Sequence, residues 1–440
     1  MRNNISEDLL QFIEASPSMF HVVANFKKEL LAAGFQEIKE NDNFQVVANK
    51  NYFVTRNDSS IIAFKIPSDT NNLNYKIVAS HSDAPSFKIK PNYYLERNGF
   101  TCLNVEPYGG VLMATWFDRP LSLAGRVFIK EGDQVKSHLF TYPKPLFTIP
   151  SLAIHLNREA NTNNALNPQN HLLPILSQNH LGFIEELIAE TLKRKLEDIV
   201  EFELFLYPVS KGYFWGAENE FISARQLDDL QSAYSSFQAF MKSDNQSEVT
   251  VFTCFDNEEV GSQTRQGAAS SFLKETLEKI SFTLGYVGIK HYQVLARSLL
   301  VSADNAHGMH PNYSDKSDPS NQVKLNQGIV IKYNANQSYT TDGLTASIFK
   351  SYCELADVPF QNYTNRSDLR GGGTLGSISL SQVSIPSLDI GLAQWAMHSI
   401  NESAGVLDTN YLYQALLKFY QLPLMIDGTN FKITEKKIGS

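Results

Sequence analysis

The uncharged run Val249–Phe255 (VTVFTCF) ends abruptly in Asp256-Asn257-Glu258-Glu259. A run this short, β-branched and aromatic, reads as a strand buried on both faces; a half-buried strand would alternate and a helix would be longer. Its sheet therefore needs covering layers on both sides. Apolar runs of the same kind recur at Leu299–Ala303, Gln327–Tyr333 and Ser387–Gly391, interleaved with helical patterns. One such helix starts near Asp228 and carries Leu230, Tyr234, Phe237 and Met241 on one face. The fold class that follows is α/β, a mixed sheet with helices on both faces.

The N-terminal part predicts two helices. Ser6 caps the first, and the second runs from near Ser18 through Phe20, Val23, Phe26, Leu30 and Leu31 to Gly34. β-prone runs follow at Phe44–Val47, Tyr52–Val54, Ile61–Phe64 and Tyr75–Ala79. From about Lys90 to Tyr213 the texture changes to short strands, such as Gly110–Thr115 and Leu123–Ile129. A polar Asn- and Pro-rich stretch then runs from Asn157 to Pro174, and a helix follows with Ile184, Leu187, Ile188, Leu192, Leu196 and Ile199 on one face. We read residues 93–218 as a β-rich domain inserted between two parts, 1–92 and 219–440, of a larger one. A chain of 440 residues has room for two or three such units.

Composition narrows the function classes. A formal charge of −8 argues against nucleic acid as a partner. No uncharged apolar run is long enough to span a membrane. The N-terminus lacks a signal-peptide pattern. Cys102, Cys254 and Cys353 lie far apart and suggest a reducing compartment, so a cytoplasmic location is expected.

Five segments place acidic residues or histidines just beyond apolar strands or at a helix start, where α/β sites form. In KIVASHSDAP, His81 follows the strand directly and Asp83 sits two residues on, a carboxylate able to fix the histidine ring. A lone histidine there is more often a surface hydrogen-bonding residue. In LDDL, Asp228 and Asp229 stand at a helix start, where capping is the usual work of such pairs; the functional reading makes Asp228 a carboxylate bridging two metals. In FDNEEVGS, consecutive carboxylates at the end of a core strand repel one another unless cations or water offset them. Adjacent side chains can diverge, so Glu259 would be free to bind a metal while Glu258 would reach a metal-bound water as general base. Asp304 closes the strand of LLVSADNAHGMHPNY, with His307 and His310 behind it as loop histidines, and His398 lies in LAQWAMHSINE.

Together His81, Asp228, Glu259, Asp304 and His398 form a mixed nitrogen and oxygen donor set. It suits two divalent ions, zinc before cobalt or manganese, better than calcium or a thiolate site. Two metals, roughly 3.5–4 Å apart, would stabilise both the attacking oxygen and the developing oxyanion of a hydrolysis.

These segments resemble the M18 family of metalloaminopeptidases, the aspartyl aminopeptidases. The resemblance covers almost the full chain and includes SPSMFHVVANFKKELLAAGFQEIKE, SHSDAPSFKIKP, WFDRPLSLAGRV, LAIHLNRE, LDDL, FDNEEVGS, ADNAHGMHPNY, VIKYN and MHSINE. It implies that His81, Asp228 and Asp304 hold one metal and Asp228, Glu259 and His398 the other. Glu258 would be the general base, with Asp83 as a supporting carboxylate. It further implies short peptides with a free N-terminus as substrates and a tetrahedral dodecamer built from dimers through the insert. His155 in LAIHL would reach a neighbouring subunit's active site. Lys332 would line the pocket for the substrate's first side chain and favour Asp or Glu, while Tyr339, Gly372, Gly373 and Thr374 would face the substrate.

Three departures from the family pattern, Asp229 for an asparagine, Asn401 for an arginine and the glycine-rich run at 371–373, remove no ligand. The rival readings are a two-metal deacylase or carboxypeptidase of the same architecture, and a catalytically idle assembly or cargo-binding protein that kept the fold.

Overall fold

The computed structural model describes residues 4–434 apart from 164, 179, 245, 246 and 370. Its larger body is built on a nine-stranded sheet. Across the sheet the strands run Gln36–Glu37, Asn51–Arg56, Ser60–Lys65, Val249–Phe255, Tyr75–His81, Leu299–Ala303, Ser387–Gly391, Ile329–Lys332 and Phe360–Tyr363. Val249–Phe255, Tyr75–His81, Leu299–Ala303 and Ser387–Gly391 are mutually parallel, and Ser60–Lys65 and Ile329–Lys332 join them antiparallel on either side. The sheet is mixed.

Alternate residues of these strands feed two separate cores. Phe53, Ile61, Ala63, Val78, Phe252 and Val301 face the helices Asn4–Ala15, Met19–Ala32, Leu227–Lys242, Gly343–Leu355 and Val406–Gln421. Tyr52, Ile62, Phe64, Ile77, Val251 and Leu300 face Phe272–Thr283, Ile289–Ala296 and Leu375–Leu380. Burial on both sides makes the central strands mostly apolar, with exceptions such as Lys76, Thr250, Thr253, Ser302 and Asp389 themselves buried.

A six-stranded antiparallel sheet draws its strands from between Ser86 and Pro208, in the order Gln134–Thr141, Leu121–Glu131, Ile199–Pro208, Ser86–Arg97, Phe100–Tyr108 and Ile175–Ser177. Phe87, Trp116, Leu123, Val127, Leu204 and Leu206 form its core with Ile184 and Ile188 of the helix Phe183–Leu192. A third sheet, Tyr213–Trp215, Phe221–Ala224, Glu402–Gly405, Ala393–Trp395 and Ala306–His307, draws its strands from between Tyr213 and Gly405.

Several local expectations are corrected. The helix read through Leu196 to Ile199 stops at Leu192, where Lys193 turns left-handed at φ 53°. Ile199 instead opens the strand Ile199–Pro208, which gains ladder hydrogen bonds from a neighbour on each side. Gly110–Thr115 is a turn leading into the 3₁₀ segment Met113–Trp116, and Phe44–Val47 joins no sheet. Ser6 lies inside the first helix rather than capping it; its hydroxyl donates to the carbonyl of Val406 at 2.9 Å. The second helix does stop before Gly34, which takes φ 83°. All three cysteines are buried and unpaired, and among the described residues no helix is long and apolar enough to cross a membrane.

Candidate metal centre

The central parallel strands deliver their polar ends to one edge of the sheet, and the sequence-predicted residues meet there. His81 ends Tyr75–His81, Asp304 follows Leu299–Ala303, and Glu258 and Glu259 sit in a single 3₁₀ turn after Val249–Phe255. Asp228 enters from the first turn of Leu227–Lys242, where its backbone is not yet helical. His398 comes from the loop between Ala393–Trp395 and Glu402–Gly405, at φ 68°.

Ligand-type atoms of His81, Asp228, Asp229 and Asp304 lie within 4.8 Å of one another. So do those of His81, Glu258 and Glu259, and those of Asp228, Glu259 and His398. Asp228 stands between the histidines: its Oδ1 is 3.3 Å from His81 Nε2 and its Oδ2 is 3.6 Å from His398 Nε2. His398 Nε2 is also 3.3 Å from Glu259 Oε2.

Both rings are held through their other nitrogen. His81 Nδ1 is 3.1 Å from the main-chain oxygen of Asp83, and His398 Nδ1 is 3.0 Å from that of Gly110. A carbonyl only accepts, so each Nδ1 carries a hydrogen, and in the neutral ring each Nε2 presents a lone pair to the cluster. Asp83 also receives the N–H groups of Glu258 at 3.1 Å and Glu259 at 3.2 Å, which pins the acidic turn.

The electrostatics record an excess of buried negative charge. Burial, reinforced by Asp304, Asp83 and Asp228 against the pull of His81, pushes Glu258 up to about 8. Burial pushes Asp304 up to about 6 although Lys332 pulls it down, and it drives Asp229, Glu259 and Glu402 well above the carboxylate range. Burial works against charge on Asp228 too, but His81 and His398 outweigh it and its pKa falls. Burial likewise opposes the charge of His81, yet Asp228 and Asp83 raise its pKa well above the ordinary value.

The carboxylate oxygens Asp228 Oδ1, Asp229 Oδ1 and Glu259 Oε1 are buried without a hydrogen-bond donor. Orphaned carboxylate oxygens beside two imidazoles with free lone pairs fit divalent cations; unpaired burial of this kind is otherwise expensive. The residues present therefore fit metal.

The other predicted residues are distributed around this cluster. Lys332 is buried, with Nζ 2.8 Å from the carbonyl of Asn305 and 3.9 Å from Asp304 Oδ1, and it lies 5.6 Å from the ring centre of buried Tyr339. Thr374 donates to Asp389 Oδ1 at 2.5 Å, on the strand next to Lys332. Gly372 lines a cavity of about 280 Å³ with His307, His310, Tyr313, Tyr363 and Arg366, and Gly373 adjoins it in the same loop. His310 accepts from the N–H of Asn312 at 3.1 Å, a loop bond. His155 stands apart from the cluster, on an exposed turn at residues 154–156.

Sequence reasoning passed over two members of the site. Glu402 accepts from the N–H of Asp228 at 2.9 Å and of His398 at 2.7 Å, joining two of the converging segments. Asp229 accepts from the N–H of His81 at 3.2 Å. The available signals were an acidic residue in a nearly uncharged segment and a second acid beside the first.

The model of the aminopeptidase I zinc metalloprotease (M18) family matches residues 12–420. The chain belongs to the M18 family. A probable M18 family aminopeptidase 2 of Clostridium acetobutylicum is 41% identical over 433 residues, covering 96% of this chain and 100% of the relative. Ape4, solved in complex with Nbr1, superposes with a TM-score of 0.92 at 37% identity, covering 95% of this chain and 85% of that one. The S. cerevisiae mApe1 dodecamer gives a TM-score of 0.83 at 25% identity, over 95% and 96% of the two chains. This M18 chain is accordingly an aminopeptidase, a metallo-hydrolase acting on peptides.

Proposed function

We propose that the chain is a two-metal aminopeptidase that removes acidic first residues from short peptides, with Glu258 moving the proton. The observation that carries this reading is the position of Asp228, whose two oxygens face two different histidines. His81, Asp228 and Asp304 would hold one zinc ion, and Asp228, Glu259 and His398 the other; cobalt or manganese would suit the same donors. When bound, the ions supply Lewis acidity, polarising the scissile carbonyl and acidifying water.

The chain's own groups perform the rest. Glu258 takes a proton from the attacking water as its oxygen bonds to the carbonyl carbon. The same carboxyl then gives that proton to the departing amine as the C–N bond breaks, so the base is regenerated. Asp83 holds the turn carrying Glu258 by its main-chain N–H. Lys332, with one hydrogen bond among the described residues, has N–H donors left for a substrate carboxylate.

Two features support assembly into a larger particle. One is the likeness to a protein solved as a dodecamer. The other is the exposed turn bearing His155, flanked by the exposed apolar residues Leu152, Ile154 and Leu156. In this reading the β-rich unit, residues 93–218, makes the dimers of a tetrahedral dodecamer, and His155 completes a neighbour's active site. A cytoplasmic location accords with its unpaired cysteines.

Glu258→Gln tests the reading. The variant should bind two zinc equivalents per chain and lose roughly 100- to 10,000-fold in kcat. Turnover near wild type in the zinc-reconstituted variant, or a wild-type protein taking up a single equivalent, would refute it. Hydrolysis of N-acetyl-Asp-X as readily as Asp-X would favour the deacylase rival.

A further inference from the structure

The segment Tyr108-Gly109-Gly110 leaves the end of the strand Phe100–Tyr108, in the six-stranded sheet, and runs against the metal cluster. Tyr108 Oη donates to Asp83 Oδ2 at 2.7 Å and accepts from Asn257 Nδ2 at 2.8 Å. That same Asp83 receives the N–H groups of both Glu258 and Glu259, and its carbonyl fixes the ring of His81. One hydroxyl thus orients the group on which three site residues hang. On the other side, the carbonyl of Gly110 holds His398 Nδ1. Two further bonds tie the segments together: Leu112 N–H donates to the His398 carbonyl at 3.1 Å, and Ile400 N–H to Thr115 Oγ1 at 3.1 Å.

The fit leaves little space. A Cβ on Gly109, which sits at φ +73°, would stand 3.1 Å from Glu259 Cβ. A Cβ on Gly110 would stand 3.1 Å from His398 Nδ1. Side chains at these positions would therefore push on a ligand-type residue of the cluster.

We propose that residues 108–110 form a positioning strap for the metal centre. Tyr108 orients Asp83, and through it His81, Glu258 and Glu259, while Gly110 sets the ring of His398. The β-rich unit is then more than an assembly module, because it supplies outer partners for both histidine-bearing halves of the cluster. Such partners govern how tightly ligands grip a metal by fixing ring orientation and basicity. The inference rests on the two-metal reading above.

The test uses the full chain in its native assembly, metal-free and zinc-loaded. Zinc affinity is read by competition with a chromophoric chelator, alongside kcat and KM on an Asp-X peptide, particle mass, and the thermal midpoint of the metal-free protein. For Tyr108→Phe the expected result is a 10- to 100-fold loss of zinc affinity, roughly the effect of removing such a partner. Its kcat should fall with KM near wild type, and its metal-free midpoint and mass should not change. Gly110→Ala should weaken one of the two zinc equivalents more than the other. Affinity and kcat within twofold of wild type would overturn the proposal, as would an affinity loss matched by a lower metal-free midpoint. Should Tyr108→Phe fail to assemble, Gly110→Ala decides by the same criteria. A wild-type chain without two zinc equivalents would sink the two-metal reading itself, whereas two equivalents with indifferent variants would sink only the strap.

Discussion

If Lys332 reads the substrate's first side chain, its unspent N–H donors are what would do so. Lys332 has little solvent exposure and stands beside Asp304, and the ring of Tyr339 lies within cation–π range. Replacing it by methionine keeps the volume and removes the charge. A charge-assisted hydrogen bond contributes about 1.5–3 kcal/mol, so kcat/KM for an Asp first residue should drop roughly 10- to 150-fold in Lys332→Met. The value for an Ala first residue should barely move. Equal losses on both substrates would take Lys332 out of the specificity argument.

At the same scale, His21 sets part of the chain's acid tolerance. Its Nδ1 lies 2.8 Å from Ser18 Oγ, and burial, aided by the nearby charge of Arg225, lowers its pKa to about 4. Between its ordinary 6.5 and that value, the unfolded chain takes up a proton that the folded chain refuses. Stability is therefore lost as pH falls through this window, by about 3 kcal/mol in all. His21→Gln cannot titrate, so its melting temperature should fall less than wild type between pH 7 and 4.5. Parallel declines would remove His21 from this account.

The elements that present the site are anchored at their far ends. The helix Leu227–Lys242, which begins with the Asp228 pair, ends over the strand Ser60–Lys65. There Lys65 Nζ donates to the carbonyls of Phe240 at 2.6 Å, Met241 at 3.2 Å and Ser243 at 2.8 Å, adding to the Ser243 N–H and hydroxyl that also cap Phe240. Burial lowers the Lys65 pKa to about 8, which leaves it mostly charged at neutral pH. Lys65→Met should cost about 2–3 kcal/mol and lower the thermal midpoint by several degrees; an unchanged midpoint would show that water replaces the ammonium without loss.

The elements also show what the sequence could and could not convey. Strands such as Val249–Phe255 were legible because burial on both faces leaves a short uncharged run rich in β-branched and aromatic residues. Ile199–Pro208 was not, because its first residue continues the 3.6-residue spacing of the helix before it, and only pairing with distant strands decides the matter. Ser86–Arg97 hides its strand behind Pro91 and Asn92, where the ladder shifts register. In the site, His81, Asp228, Glu258, Glu259, Asp304 and His398 announced themselves as charge or imidazole beside apolar runs. Tyr108 and Gly110 carry no such local sign. Gly110 meets His398 across 288 positions of chain, and its contribution is a carbonyl that every residue type possesses.

At the scale of the whole molecule, the residue that stands outside the cluster makes the strongest demand. His155 occupies an exposed turn with Ile154 and Leu156, just after Leu152; the three apolar residues are 45%, 75% and 61% exposed. Three apolar side chains so close together are unfavourable in water, and a second copy of the chain would bury them while carrying His155 into its own site. If so, an active site is a property of two chains. His155→Ala assemblies should form with normal mass yet work poorly, and Glu258→Gln assemblies should be nearly inactive. Co-expressing the two variants reunites an intact Glu258 on one chain with an intact His155 on the next. Random pairing then restores about a quarter of the sites. Activity well above the sum of the separate variants, in particles of wild-type mass, is the expected result. A co-assembled mixture no more active than its parts would mean that each chain completes its own site, and the exposed turn would need another explanation.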